Sequence, residues 1–176
     1  MENEVSARVL LDLPRDQAWE KLRDLSLAHN YVPGIIRTEI RTEKKEGVGA
    51  SRRVYQTETR GLDETVTEWN AGQGFQIKLH RDDEGPMWPF REGAFRYHLD
   101  DAGNGQTALS ISLMFTMRHG AFGRFLARTV LAGIFRKTVQ DVALSLKSFY
   151  ETGEPTTKAR LRALKSEQMP VSSGQA

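Results

Sequence analysis

Among its 176 residues the sequence has no cysteine. That excludes a disulfide framework, a thiol nucleophile and a zinc site built on thiolates. It also lacks any run of about 18 apolar residues, the length a membrane-spanning helix needs. The most apolar segment, residues 121–135, is interrupted by Arg124 and Arg128. The first fourteen residues are acidic and alternating, whereas a secretion signal starts basic and continues apolar, so a soluble cytoplasmic protein is expected. Charge of one sign is scarce as well. The formal net charge is +2, and it sits in residues 152–176, where Lys158, Arg160, Arg162 and Lys165 outnumber Glu154 and Glu167. A neutral body with a short basic tail lacks the concentrated basic face that nucleic acids require, so no nucleic-acid partner is expected.

Familiar chemical motifs are missing too. The histidines at 29, 80, 98 and 119 have no partner three or four residues away, so the paired ligands of a helical metal site are absent. There is no Gly-x-Ser-x-Gly elbow and no Walker loop. Gly47-Val48-Gly49 lacks a third glycine and precedes a strand pattern, whereas a dinucleotide site needs a helix start for the pyrophosphate. No cofactor, metal or catalytic constellation is implied, and nothing in the pattern speaks to oligomeric state.

What is present is an ordinary globular composition, 39% hydrophobic and 27% charged, over a length that suits one domain. Residues 4–13 alternate around Val5, Ala7, Val9 and Leu11, which predicts a strand. Pro14 then opens a helix in which Trp19, Leu22 and Leu25 recur at helical spacing. Further strand patterns run over 35–42, 50–59, 62–69, 75–80, 92–99 and 107–117, and their mostly short, glycine-containing connections favour antiparallel pairing. Over 122–151 the polar residues step round at helical period and leave Phe122, Phe125, Val130, Val139, Val142, Leu146 and Phe149 mostly on the other side, so one long helix is expected. The predicted class is α+β: a curved antiparallel sheet of about seven strands wrapped around a long C-terminal helix, occupying residues 1–153. Residues 154–176 follow as a basic, largely disordered tail, with a short helix around Leu161 and Leu164, and are expected to be dispensable for folding.

Several local runs add to this order. They are Trp19-Glu20-Lys21-Leu22-Arg23-Asp24-Leu25, then Tyr31-Val32-Pro33-Gly34-Ile35, then Gly47-Val48-Gly49-Ala50-Ser51-Arg52, then Leu62-Asp63-Glu64 with Glu68-Trp69. Taken in sequence over about residues 4–152, they resemble the START-like or SRPBCC superfamily, the polyketide cyclase/dehydrase and lipid-transport group. The resemblance implies a helix-grip fold with a ligand cavity between sheet and helix. Its members range from carriers to cyclases and hormone receptors, so it implies a ligand without fixing an activity.

Candidate lining residues follow from the strand faces. Phe75, Ile77 and Leu79 share one face, Phe95 and Tyr97 another, and Leu113 and Phe115 a third, all opposed by Phe122 and Phe125. Such residues suit an ordinary core as well as a pocket wall. The loop over 82–91 sets Met87, Trp88 and Phe90 between two prolines, and Trp88 either gates the cavity or caps the core edge. The polar candidates are Arg53, Tyr55 and Glu64. With Arg60-Gly61 as a two-residue turn, Thr57 faces Glu64, Tyr55 faces Val66 and Arg53 faces Glu68, while Arg52, Val54, Thr65 and Trp69 take the other side. A one-residue change in turn length breaks this pairing, so Arg52 and Arg53 are not separable from sequence. Turned outward, the same residues are an ordinary cross-strand ion pair. His80 is expected to point outward, opposite Phe75, Ile77 and Leu79.

Three functions are compatible with these features. The favoured one is binding or transport of a hydrophobic small molecule, a lipid, quinone or polyketide. The second is an enzyme of the aromatase/cyclase kind, in which a few polar groups in the cavity move protons. The third is an interaction module whose basic segment docks a protein partner or an anionic membrane.

Overall fold

The structure, a computed structural model, describes residues 1–81, 85, 90–118 and 131–168. Strand β1 (Asn3–Leu11) turns Val5, Ala7, Val9 and Leu11 inward and leaves Glu4, Ser6, Arg8 and Leu10 exposed, as its alternation requires. Pro14 leads into α1 (Arg15–Leu22), which buries Ala18, Trp19 and Leu22. A 3-10 turn over Leu25–Leu27 and the short α2 (Ala28–Tyr31) complete the crossing to the far side of the sheet. Six strands follow: β2 (Arg37–Ile40), β3 (Ser51–Tyr55), β4 (Gly61–Asn70), β5 (Gly74–His80), β6 (Phe90–Gly103) and β7 (Gln106–Met117). They form one seven-stranded sheet in the order β1-β7-β6-β5-β4-β3-β2, antiparallel throughout. β1 and β2 are its two edges.

Helix α3 (Ala132–Thr152) packs chiefly against β1 and β7 and buries Val139, Val142, Ala143, Leu146 and Tyr150. It ends at Gly153, whose N–H donates to the Phe149 carbonyl at 2.8 Å. The expectations that rest on His119, Phe122, Phe125, Met87 and Trp88 lie outside the described residues.

Two expectations are corrected. The β3–β4 connection is a five-residue loop rather than a two-residue turn, so Arg52 lies opposite Glu64, Arg53 opposite Asp63 and Tyr55 opposite Gly61. The loop closes on itself: the Gln56 N–H donates to the Arg60 carbonyl at 2.9 Å, and the Arg60 N–H to Thr57 Oγ1 at 3.0 Å. Gly61 is thereby a strand residue, and its missing side chain has a use. A Cβ there would stand 2.8 Å from Nε of Arg53, which lies across it. The new register exchanges the faces, so Arg52 shares the inward side with Glu64 while Arg53 and Tyr55 turn outward. A bulge between Val66 and Glu68 then returns Trp69 to the inner side, stacked on Phe75 at 5.6 Å.

The second correction concerns the tail. Residues 158–168 form α4 (Lys158–Gln168), a longer helix than expected. It is tied to the body by buried Leu161 and by an ion pair between Lys165 and Asp141. Just before it, the Thr156 N–H donates to the Asn30 carbonyl and Thr156 Oγ1 to the Ser145 carbonyl, each at 2.8 Å.

Candidate functional site

The inner face of the sheet brings together most of the predicted lining. Phe75, Ile77, Leu79, Tyr97, Leu113 and Phe115 are all buried in one cluster with Val139, Val142 and Leu146 of α3, and half-buried Phe95 packs against it. Aromatic rings are grouped at two places along the sheet, besides Tyr31, Phe149 and Tyr150 at the end of α3. Trp19, Trp69, Phe75 and Tyr97 form a chain with successive centroids 5.0, 5.6 and 5.1 Å apart. Phe90, Phe115 and Phe135 form a triangle that joins β6, β7 and α3.

Inside this apolar setting sits one charged pair. Arg52 is 1% exposed, and its Nε donates to Glu64 Oε2 at 2.6 Å while Nη1 donates to the Leu25 carbonyl at 2.9 Å. Burial alone would pull the guanidinium down. Glu64 beside it, with Tyr31 and Tyr97 next in weight, overcomes that and holds it above its ordinary value. The guanidinium therefore stays charged beside Glu64. Two of the five guanidinium N–H donors are accounted for by Glu64 and Leu25.

Three buried phenols surround it. Tyr31 packs edge-on against Tyr150 with centroids 6.1 Å apart, and Tyr97 and Tyr31 both act on Arg52. Burial, and after it the neighbouring phenols, push the Tyr97 and Tyr150 hydroxyls well above their ordinary value, so both remain protonated donors at neutral pH. Tyr150 Oη has no hydrogen-bond partner among the described residues, although the residue is 2% exposed. A buried hydroxyl left so costs about 1–3 kcal/mol, which an incoming acceptor oxygen would offset. This end of the interior can therefore hydrogen-bond a neutral oxygen on an otherwise apolar molecule.

Of the predicted polar residues, Glu64 belongs to this cluster, while Arg53 and Tyr55 lie on the outer face. There Arg53 Nη2 is 3.6 Å from Asp63, and the Tyr55 hydroxyl donates to Glu39 at 2.7 Å beneath the Arg37 guanidinium. His80 is on that face too, with Nε2 2.8 Å from Thr65 Oγ1. Sequence reasoning missed Tyr31 and Tyr150. A signal for Tyr150 exists, because it follows Leu146 by four residues and Val142 by eight on the buried stripe of α3. Tyr31 lies in a short helix with no periodicity to read.

Comparison with known proteins agrees with this architecture. Residues 2–151 match the family model described as polyketide cyclase/dehydrase and lipid transport. Among solved structures, the aromatase/cyclase Zhui from Streptomyces sp. R1128 superposes with a TM-score of 0.66 at 14% identity, over 85% of this chain and 93% of its own. A START superfamily protein from Mycobacterium smegmatis gives 0.61 at 18% identity, over 84% and 97%. The protein Ara h 8.0201 gives 0.61 at 15% identity with the same coverage. No curated protein sequence matches the chain.

Proposed function

The chain belongs to the polyketide cyclase/dehydrase and lipid transport family, and from that premise we propose that it binds an apolar small molecule of lipid, quinone or polyketide type between the sheet and α3. The molecule's oxygen-bearing end lies at Arg52, Glu64, Tyr31, Tyr97 and Tyr150, and its apolar body lies along Phe75, Ile77, Leu79, Phe95, Leu113 and Phe115. The observation that carries it is the buried Tyr150 hydroxyl without a partner among the described residues, set beside the Arg52–Glu64 pair at the end of an apolar core.

Prodan, a fluorescent naphthyl ketone, tests the reading, because its emission reports both apolar surroundings and hydrogen bonding to its carbonyl. Saturable binding with a blue-shifted emission is expected. Tyr150→Phe should weaken it by about fivefold, the worth of one hydrogen bond of about 1 kcal/mol, without lowering Tm. Failure of prodan, anthrone and a long-chain alcohol to bind at all would overturn the proposal.

One observation favours a second reading. Tyr97 and Tyr150 are kept protonated beside a guanidinium, the arrangement that stabilises an enolate forming from a bound ketone. On that reading Tyr97→Phe weakens prodan binding no more than Tyr150→Phe does and abolishes turnover of a poly-β-ketone. As a pure carrier, the protein shows no turnover to lose.

A further inference from the structure

The free edge of β1 has a definite polarity, which the register reveals. The Leu99 N–H donates to the Gln73 carbonyl at 2.7 Å, toward the β5 side of β6. Backbone groups alternate sides along a strand, so Arg96 and His98 bond toward β7. Their partners Ser112 and Ser110 therefore face β6, which leaves Leu109, Ile111 and Leu113 to bond with Val9, Ala7 and Val5 of β1. The N–H and C=O groups of Glu4, Ser6, Arg8 and Leu10 then point away from the sheet. The C-terminal end of the edge agrees, since Lys147 Nζ donates to the Leu10 carbonyl at 2.7 Å and the Asp12 N–H donates to Glu151 at 2.8 Å. Among the described residues, Ser6 and Arg8 have no such partner at this edge.

This unpaired stretch borders a groove of about 780 Å³ between β1 and α3, with Lys165 of α4 at its wall. The groove lining carries excess positive charge at the Arg8 end of the edge, while Glu4 at the other end is an exposed carboxylate. Lys165 is neutralised by Asp141, but Arg8 and Lys137 are exposed and have no ion-pair partner among the described residues. Cations beside an unpaired edge repel basic strands and favour acidic ones.

We propose that this edge is a docking site for an extended acidic peptide of a protein partner, which adds to the sheet as an eighth strand beside Glu4–Arg8. Side chains of an added strand alternate between the two sheet faces. One therefore meets Arg8 on the outer face, and its neighbour meets Lys137 on the α3 side. The partner is read by two consecutive carboxylates flanked by β-formers, and the site is separate from the interior cluster around Arg52.

The test is a titration of the ¹⁵N-labelled full chain with acetyl-Thr-Val-Glu-Glu-Val-Thr-amide, followed by amide shifts. Controls are the Lys-Lys counterpart and two versions N-methylated at alternate residues, in either phase. The expected result is a saturable shift at Glu4, Ser6 and Arg8. Affinity should fall at least about tenfold for the Lys-Lys peptide, for at least one N-methylated phase and for R8E/K137E, whose prodan binding stays unchanged. No shift at millimolar peptide, or undiminished binding by both N-methylated peptides, would overturn strand addition. Shifts produced only by phosphatidylserine vesicles would assign the same cations to a membrane surface and equally overturn it.

Discussion

Arg52 and Arg53 are neighbours in sequence with opposite surroundings. One is sealed against Glu64 and the Leu25 carbonyl, and the other lies half-buried over Gly61 beside Asp63. Removing one member of a buried pair strands the other charge, at a cost of about 3–5 kcal/mol. Arg52→Met should lose stability on that scale in urea denaturation, and Arg52→Met with Glu64→Leu should recover most of it. Equal losses in the single and double variants would mean the pair is not the source. The buried phenols predict a pH dependence of known sign. Tyr97 and Tyr150 keep their protons when folded at pH values where an unfolded chain has released them. Their contribution is therefore intact below the ordinary value of 10.0 and lost as pH rises beyond it. Tyrosinate absorbance should show Tyr97 and Tyr150 ionising only with alkaline unfolding, and Tyr97→Phe should remove one group from that step. At this scale the sequence was legible in its apolar residues and not in its polar ones. Phe75, Ile77 and Leu79 needed only a period of two. Choosing between Arg52 and Arg53 needed a turn length that Thr57 and Arg60 set through their own hydrogen bonds.

Elements were readable where a period was long and strong, as in β5, β7 and the buried stripe of α3 from Val139 to Tyr150. Composition misled in the tail, because the polar sequence of α4 shows a weak stripe and its attachment depends on partners far away in the chain. Leu161 is buried, Lys165 reaches Asp141, and Thr156 bonds to Asn30 and Ser145. Deletion of 158–176 should therefore cost about 2 kcal/mol, most of it the burial of one leucine. Leu161→Ala should reproduce the larger part, measured by urea denaturation. Unchanged stability after the deletion would return α4 to the status of a dispensable tail.

At the scale of the molecule, similarity to solved structures at 14–18% identity leaves element order as what is shared: one strand, helices, six strands in meander and a long helix. That order was visible in the sequence because each strand is short, alternating and bounded by turn residues. The polar end of the interior was not, since it is assembled from α2, β3, β4, β6 and the end of α3. No described helix is long and apolar enough to cross a membrane. The central claim is that an apolar ligand enters the sheet–helix interior with its oxygen among the tyrosines. Isotope-filtered NOE spectroscopy of the ¹³C-labelled chain with unlabelled prodan tests it most directly. Cross-peaks are predicted from the naphthyl ring to Ile77, Leu79 and Leu113, and from the ethyl group beside the carbonyl to the rings of Tyr97 and Tyr150. Cross-peaks confined to surface residues such as Ile36, Val48 and Ile134 would contradict the account.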